Sequence, residues 1–142
     1  MLKVERYTQS DEEKVVAFIK KAQSDVKPDR QILLRSILIK DDKDIVGMVS
    51  YEPYDNVGVI RYFLYDARVA GTDITVGMFF ELYKAARTEG VKKMVAQIPN
   101  REVGILFKML GFNRVIGDLA DLKNVVKKET EIMLIHLEEE VL

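Results

Sequence analysis

The stretch Asn100–Phe112, NREVGILFKMLGF, decides how the chain is read. Pro99 and Asn100 turn the chain, and Val103, Leu106, Met109 and Leu110 then recur at helical spacing over Arg101–Leu110. Gly111 ends that short helix, because glycine accepts the left-handed backbone that a helix C-terminus favours. A short strand follows over Phe112–Ile116. The preceding stretch, AARTEGVKKMVAQI over Ala85–Ile98, contains the same punctuation. A helix over Ile74–Glu89 carries Met78, Phe79, Leu82 and Ala86 as its buried stripe, stops at Gly90, and leads into a strand over Val91–Ile98.

Outward toward the N-terminus, Leu2–Thr8 reads as a strand, and Ser10 with Glu13 makes the capping-box pattern that opens a helix. Val15, Val16, Ile19 and Ala22 form its apolar stripe, with Lys14, Lys20 and Lys21 off it. Asp25–Arg30 is a polar loop. Three strand-like runs follow, Gln31–Lys40, Ile45–Glu52 and Val57–Tyr65, whose short polar connections make them antiparallel neighbours. Along the last of these, Val57, Val59, Arg61, Phe63 and Tyr65 share one face and Gly58, Ile60, Tyr62 and Leu64 the other. Both faces are mostly apolar, which places this strand centrally with cover on both sides. Asp66–Asp73 is a loop. Toward the C-terminus, Gly117–Glu129 is polar with one helical turn, and the alternating Glu131–Leu137 closes the sheet.

The order is strand, helix, three strands, helix, strand, helix and two strands. It predicts an α/β (α+β) fold: a mixed, mostly antiparallel sheet with helices on both faces. At 142 residues the chain has the length of one domain, 1–142. Lys and Arg number 22 against 23 Asp and Glu, so no basic field supports nucleic-acid binding. The charged N-terminal segment contains no apolar run of signal or membrane-spanning length, which predicts a cytoplasmic protein without a membrane partner. There is no cysteine, which removes thiol nucleophiles and thiolate metal sites. The single histidine, His136, has no partner apparent in sequence, and no metal site is expected.

This organisation resembles the GNAT superfamily of acyl-CoA-dependent N-acyltransferases. Asn100, Leu106, Gly111 and Phe112 match the family's spacing after its fifth strand, and Ala85–Ile98 matches its helix–glycine–strand step. The resemblance implies acetyl-CoA as co-substrate and a splay between the fourth and fifth strands, Val57–Tyr65 and Val91–Ile98, where backbone groups hold the pantetheine arm. It further implies a pyrophosphate site at the start of the next helix, where N–H groups and the positive helix end favour an anion. Cofactor contacts would come from Tyr65, Asp66 and Ala67, from Gly71, Thr72, Asp73, Ile74 and Thr75, and from Asn100.

Two positions depart from the family. Its Arg/Gln-x-x-Gly-x-Gly/Ala pattern falls on Ala70, Asp73 and Thr75. A carboxylate at Asp73 repels a pyrophosphate, and the competing reading is that Thr72 or Asp73 simply caps the helix. The tyrosine that many members use to protonate the departing thiolate falls on Phe107, which has no proton to give and reads equally as core.

Glu52, at a strand end, is a candidate base for the acceptor amine and alternatively a solvated carboxylate. Asp66 is comparable. Tyr65 and Tyr62 line the acceptor pocket, donate a proton, or simply pack. Arg61, in an apolar strand, needs an anionic partner: Glu52, or an acidic group of the substrate. Arg68 precedes the phosphate loop. Asn100 either bonds the pantetheine arm or caps the helix beside it. The expected activity is acetyl transfer to a small-molecule or protein amine; the alternative is an inactive module of the same fold that binds a ligand or partner. A homodimer through an edge strand or the last strand is an open expectation.

Overall fold

In a computed structural model the described residues are 1–25, 27–69, 72–115 and 131–137. Their elements are β1 (Leu2–Arg6), α1 (Glu12–Ala22), α2 (Arg30–Leu33), β2 (Ser36–Asp41), β3 (Asp44–Tyr54), β4 (Val57–Tyr65), α3 (Ile74–Thr88), β5 (Lys93–Ile98), α4 (Arg101–Met109), β6 (Asn113–Arg114) and β7 (Glu131–His136). The strands form one sheet in the order β1-β2-β3-β4-β5-β7-β6. The β1–β2, β2–β3, β5–β7 and β6–β7 pairs are antiparallel, and β4–β5 is parallel. This is the mixed, mostly antiparallel sheet that the sequence predicts. No helix among the described residues is long and apolar enough to cross a membrane.

Contacts divide the chain into two compact units, Met1–Glu52 with Arg61–Ala85, and Pro53–Ile60 with Ala86–Leu142. In the first, Val15 and Ile19 of α1 join Leu33, Leu38, Ile45 and Met48 in a buried cluster, and Tyr62 and Leu64 of β4 pack against it. Phe63, between them on β4, meets Phe79 of α3 edge-on at 5.2 Å. Successive strand residues point to opposite faces, so this part of β4 carries α1 on one side and α3 on the other.

Two local expectations are corrected in this unit. Ser10 and Glu13 do not open α1; a 3-10 turn over Gln9–Asp11 does, with the Thr8 N–H donating to Asp11 Oδ2 at 2.9 Å. The expected strand Gln31–Lys40 begins only at Ser36, because Asp29 accepts the Gln31 N–H at 2.9 Å and caps the helical turn α2. Once that first turn is nucleated, Ile32 and Leu33 reach the core from a helix instead of a strand.

Asp11 is buried and accepts from Lys40 Nζ at 2.7 Å, while the same ammonium lies 2.9 Å from Glu5. Burial alone would raise the Asp11 carboxyl, but the Lys40 bond and two bonds from Thr8 outweigh it and hold the group below its ordinary 3.8. A carboxyl depressed in the folded state adds stability that is full above 3.8 and fades as pH falls through its folded value. Asp11→Asn should therefore cost about 1–3 kcal/mol at neutral pH. The gap to the parent should close on acidification, read from urea midpoints at pH 7 and on the acid side of the carboxylate range.

In the second unit the two glycine stops are built alike. Gly111 has φ +99, its N–H donates to Lys108 O at 3.1 Å, and the Phe112 N–H donates to Phe107 O at 3.0 Å. Gly90 has φ +91, its N–H donates to Arg87 O, and the Val91 N–H donates to Ala86 O, each at 3.0 Å. Both are Schellman motifs, which need a residue at home with positive φ. At Gly111 a side chain is doubly excluded, since a Cβ would stand 2.9 Å from Ile135 Cδ1.

The last strand does not close the sheet. β7 lies between β5 and β6, and β6 covers it at Leu134 and Met133. Of the expected strand Phe112–Ile116, only Asn113–Arg114 is strand, and Ile116 lies outside the described residues. The helical turn expected within Gly117–Glu129 also lies outside them.

Candidate active site

On β3 and β4 of the first unit, Arg61 Nε donates to Glu52 Oε1 at 2.9 Å, with the side chains 24% and 32% exposed. Of the two partners open to Arg61 in sequence, the internal carboxylate is the one it meets. Tyr62 packs toward α1, and its hydroxyl accepts the Asp29 N–H at 3.0 Å, which ties the start of α2 to β4. Tyr65, 46% exposed, ends the strand with its ring tilted against Phe63 at 5.5 Å.

The chain then leaves β4 through a turn organised by Asp66. Its N–H donates to Val46 O at 3.0 Å, and its carboxylate accepts the Arg68 N–H at 2.9 Å. Ala67 is exposed in this turn, and Val69 is fully buried and anchors it. Arg68 lies 3.2 Å from Asp66, 3.3 Å from Asp41 and 3.3 Å from Asp44. One guanidinium thus serves three carboxylates, and hydrogen bonding led by Asp44 holds its pKa above the ordinary arginine value. Sequence reading missed this cluster, because Asp41 and Asp44 flank a distant hairpin turn with no local spacing signal.

Gly71 lies outside the described residues. Thr72 spends its hydroxyl on Val69 O, at 2.7 Å. Asp73 stands immediately before α3 with an exposed side chain, and its carbonyl accepts the Val76 N–H at 3.1 Å and the Gly77 N–H at 3.4 Å. Asp73 thereby occupies the N-cap position. Ile74 and the buried Thr75 form the first turn. An α-helix of this length directs first-turn N–H groups and the positive end of its dipole toward the loop.

In the second unit, the ladder between β4 and β5 matches Val57–Val59 with Lys93–Val95, while β4 continues to Tyr65 and β5 to Ile98. Asn100 caps α4: its Oδ1 accepts the Val103 N–H at 3.0 Å. Asn100 also lines a cleft of about 920 Å³ with Ile98, Gly104, Ile105, Phe112 and Met133. Phe107 is 2% exposed and meets Phe112 edge-on at 4.9 Å, so its ring is core. His136, opposite Lys93 in the β5–β7 ladder, is exposed. Among the described residues no group of three or more His, Cys, Asp or Glu side chains is placed to hold a metal ion.

Neither a protein-family model nor a curated protein sequence matches the chain. Solved structures do. N-acetylglutamate synthase from Neisseria gonorrhoeae, in complex with coenzyme A and N-acetyl-glutamate, matches with TM-score 0.77 and 14% identity. The match covers 98% of this chain, which spans 36% of the length of that protein. A GNAT-family acetyltransferase from Staphylococcus aureus Mu50 matches with TM-score 0.74 and 15% identity, over 97% of this chain and 100% of that one. The PaiA N-acetyltransferase from Thermoplasma acidophilum, in complex with coenzyme A, matches with TM-score 0.69 and 11% identity, over 96% of this chain and 99% of that one. At such low identity the likeness carries the architecture, and the chain has the fold of the GNAT acetyltransferases.

Proposed function

We propose that the chain is an N-acetyltransferase that moves the acetyl group of acetyl-CoA to an amine on a small molecule or a protein. The carrying observation is the fold match, which extends over 96–98% of the chain with acetyltransferases, two of them holding coenzyme A. The cofactor pyrophosphate is assigned to the N–H groups of Ile74 and Thr75 at the start of α3, with the backbone of Tyr65–Ala67 and of Thr72 and Asp73 along the approach. Asn100 is assigned to the pantetheine arm through whatever bonding capacity remains beside its cap.

In the reaction the amine nitrogen attacks the thioester carbonyl, the C–S bond breaks, and an amide and the thiol of coenzyme A leave. Glu52 is assigned as acceptor of the amine proton, directly or through water, and Tyr65 as donor to the departing thiolate. Thermal-shift titration tests the reading, because a ligand that binds only the native state raises its midpoint. Acetyl-CoA at millimolar concentration should raise it and no shift would overturn the proposal; thiol release with an amine panel should then follow.

Asp73 is the carboxylate nearest the assigned pyrophosphate. Asp73→Gly should tighten acetyl-CoA binding about 2–10-fold at low salt, less at high salt, as one screened repulsion is removed. Glycine is an acceptable N-cap, so α3 is spared. Weaker or unchanged binding in calorimetry would reject that placement.

The burial of Phe107 favours a second reading, a binding module of this fold without catalysis. It predicts a thermal shift with acetyl-CoA and no thiol release with any amine.

A further inference from the structure

Within the first unit, α1 faces the start of β3 and the end of β4 across a groove of about 560 Å³. Its floor is apolar, built from Ala17, Phe18, Ile45 and Leu64. Its two walls carry opposite charge. Lys14 and Lys21 stand on the helix wall, seven residues apart and therefore on one face at the two ends of the groove. Lys14 donates to Lys43 O at 2.7 Å, and among the described residues neither lysine meets a carboxylate. The opposite wall holds Asp44, Asp66 and Arg68, and that one guanidinium is already shared with a third carboxylate, Asp41. The rim on that side is net negative. Tyr65 lines the same groove.

A wholly cationic or wholly anionic ligand would be repelled by one wall. We propose that this groove binds an apolar zwitterion, an amine that also bears a carboxylate on an aromatic or branched body. The carboxylate lies toward Lys21, the ammonium toward Asp44 and Asp66, and the apolar body on Phe18 and Leu64. The groove's ligand chemistry rests on its own walls and stands apart from the acetyltransferase reading.

The test uses four probes of one size: L-phenylalanine, phenylalaninamide, phenethylamine and 3-phenylpropanoate. Calorimetric titration without cofactor should show phenylalanine binding about 5-fold or more tighter than any of the others, the scale of one exposed charge pair. Lys21→Glu, at an exposed position, should abolish that margin and leave phenethylamine binding equal or stronger. Equal binding of all four, or a phenylalanine affinity indifferent to Lys21→Glu, would overturn the groove assignment. Acetyl-CoA thermal shift tests the acetyltransferase reading separately, so the failure of one idea leaves the other standing.

Discussion

Phe107→Ala should lower stability by about 3–5 kcal/mol, the scale of deleting a buried aromatic ring. The ring is 2% exposed and meets Phe112 at 4.9 Å with the planes at 90°. It also occupies the position that a Schellman motif uses for its hydrophobic contact, three residues before the cap Leu110, with Phe112 just beyond Gly111. Truncation therefore opens a cavity and loosens the helix stop together. The measurement is the urea midpoint at constant slope. Phe107→Leu, which keeps most of the volume, should lose less than about 1.5 kcal/mol. An alanine variant within about 1 kcal/mol of the parent would show that the site collapses around the gap and that the ring is not a keystone of α4.

This residue also shows how much of the molecule was legible. NREVGILFKMLGF was readable because its signals are local: an Asn cap, a helical stripe and a glycine forced by positive φ. The same holds for Gly90 and for the strands of the meander. Apolar Ile32, Leu33 and Leu34 fit a strand or a helical turn equally well, and only the Asp29 cap decides between them. The insertion of β7 between β5 and β6 is a non-local pairing with no signature in either segment. At the site, the Glu52–Arg61 pair was foreseeable from two opposite charges on neighbouring strands. The α1 groove was not, although Lys14, Ala17, Phe18 and Lys21 recur at helical spacing. In the sequence Lys14 and Lys21 only lie off the apolar stripe, and the opposite wall comes from Asp44 and Asp66, far along the chain.

Glu52→Gln should reduce turnover about 10²–10⁴-fold if Glu52 takes the amine proton, with acetyl-CoA affinity unchanged. The geometry cuts in two directions. Arg61 Nε, at 2.9 Å, commits one carboxylate oxygen to the guanidinium. The same bond fixes the carboxylate rotamer at a half-buried strand position. Glutamine keeps the shape and an oxygen that accepts from Arg61, so the fold should hold and the loss should fall on kcat. Measuring kcat by thiol release beside the acetyl-CoA thermal shift separates chemistry from binding. A kcat within about threefold of the parent would reduce Glu52 to the partner of Arg61 and send the amine proton to solvent, since a general base is worth at least about a hundredfold. A loss confined to KM would instead place the carboxylate against the acceptor, where it binds the ammonium before reaction without taking its proton.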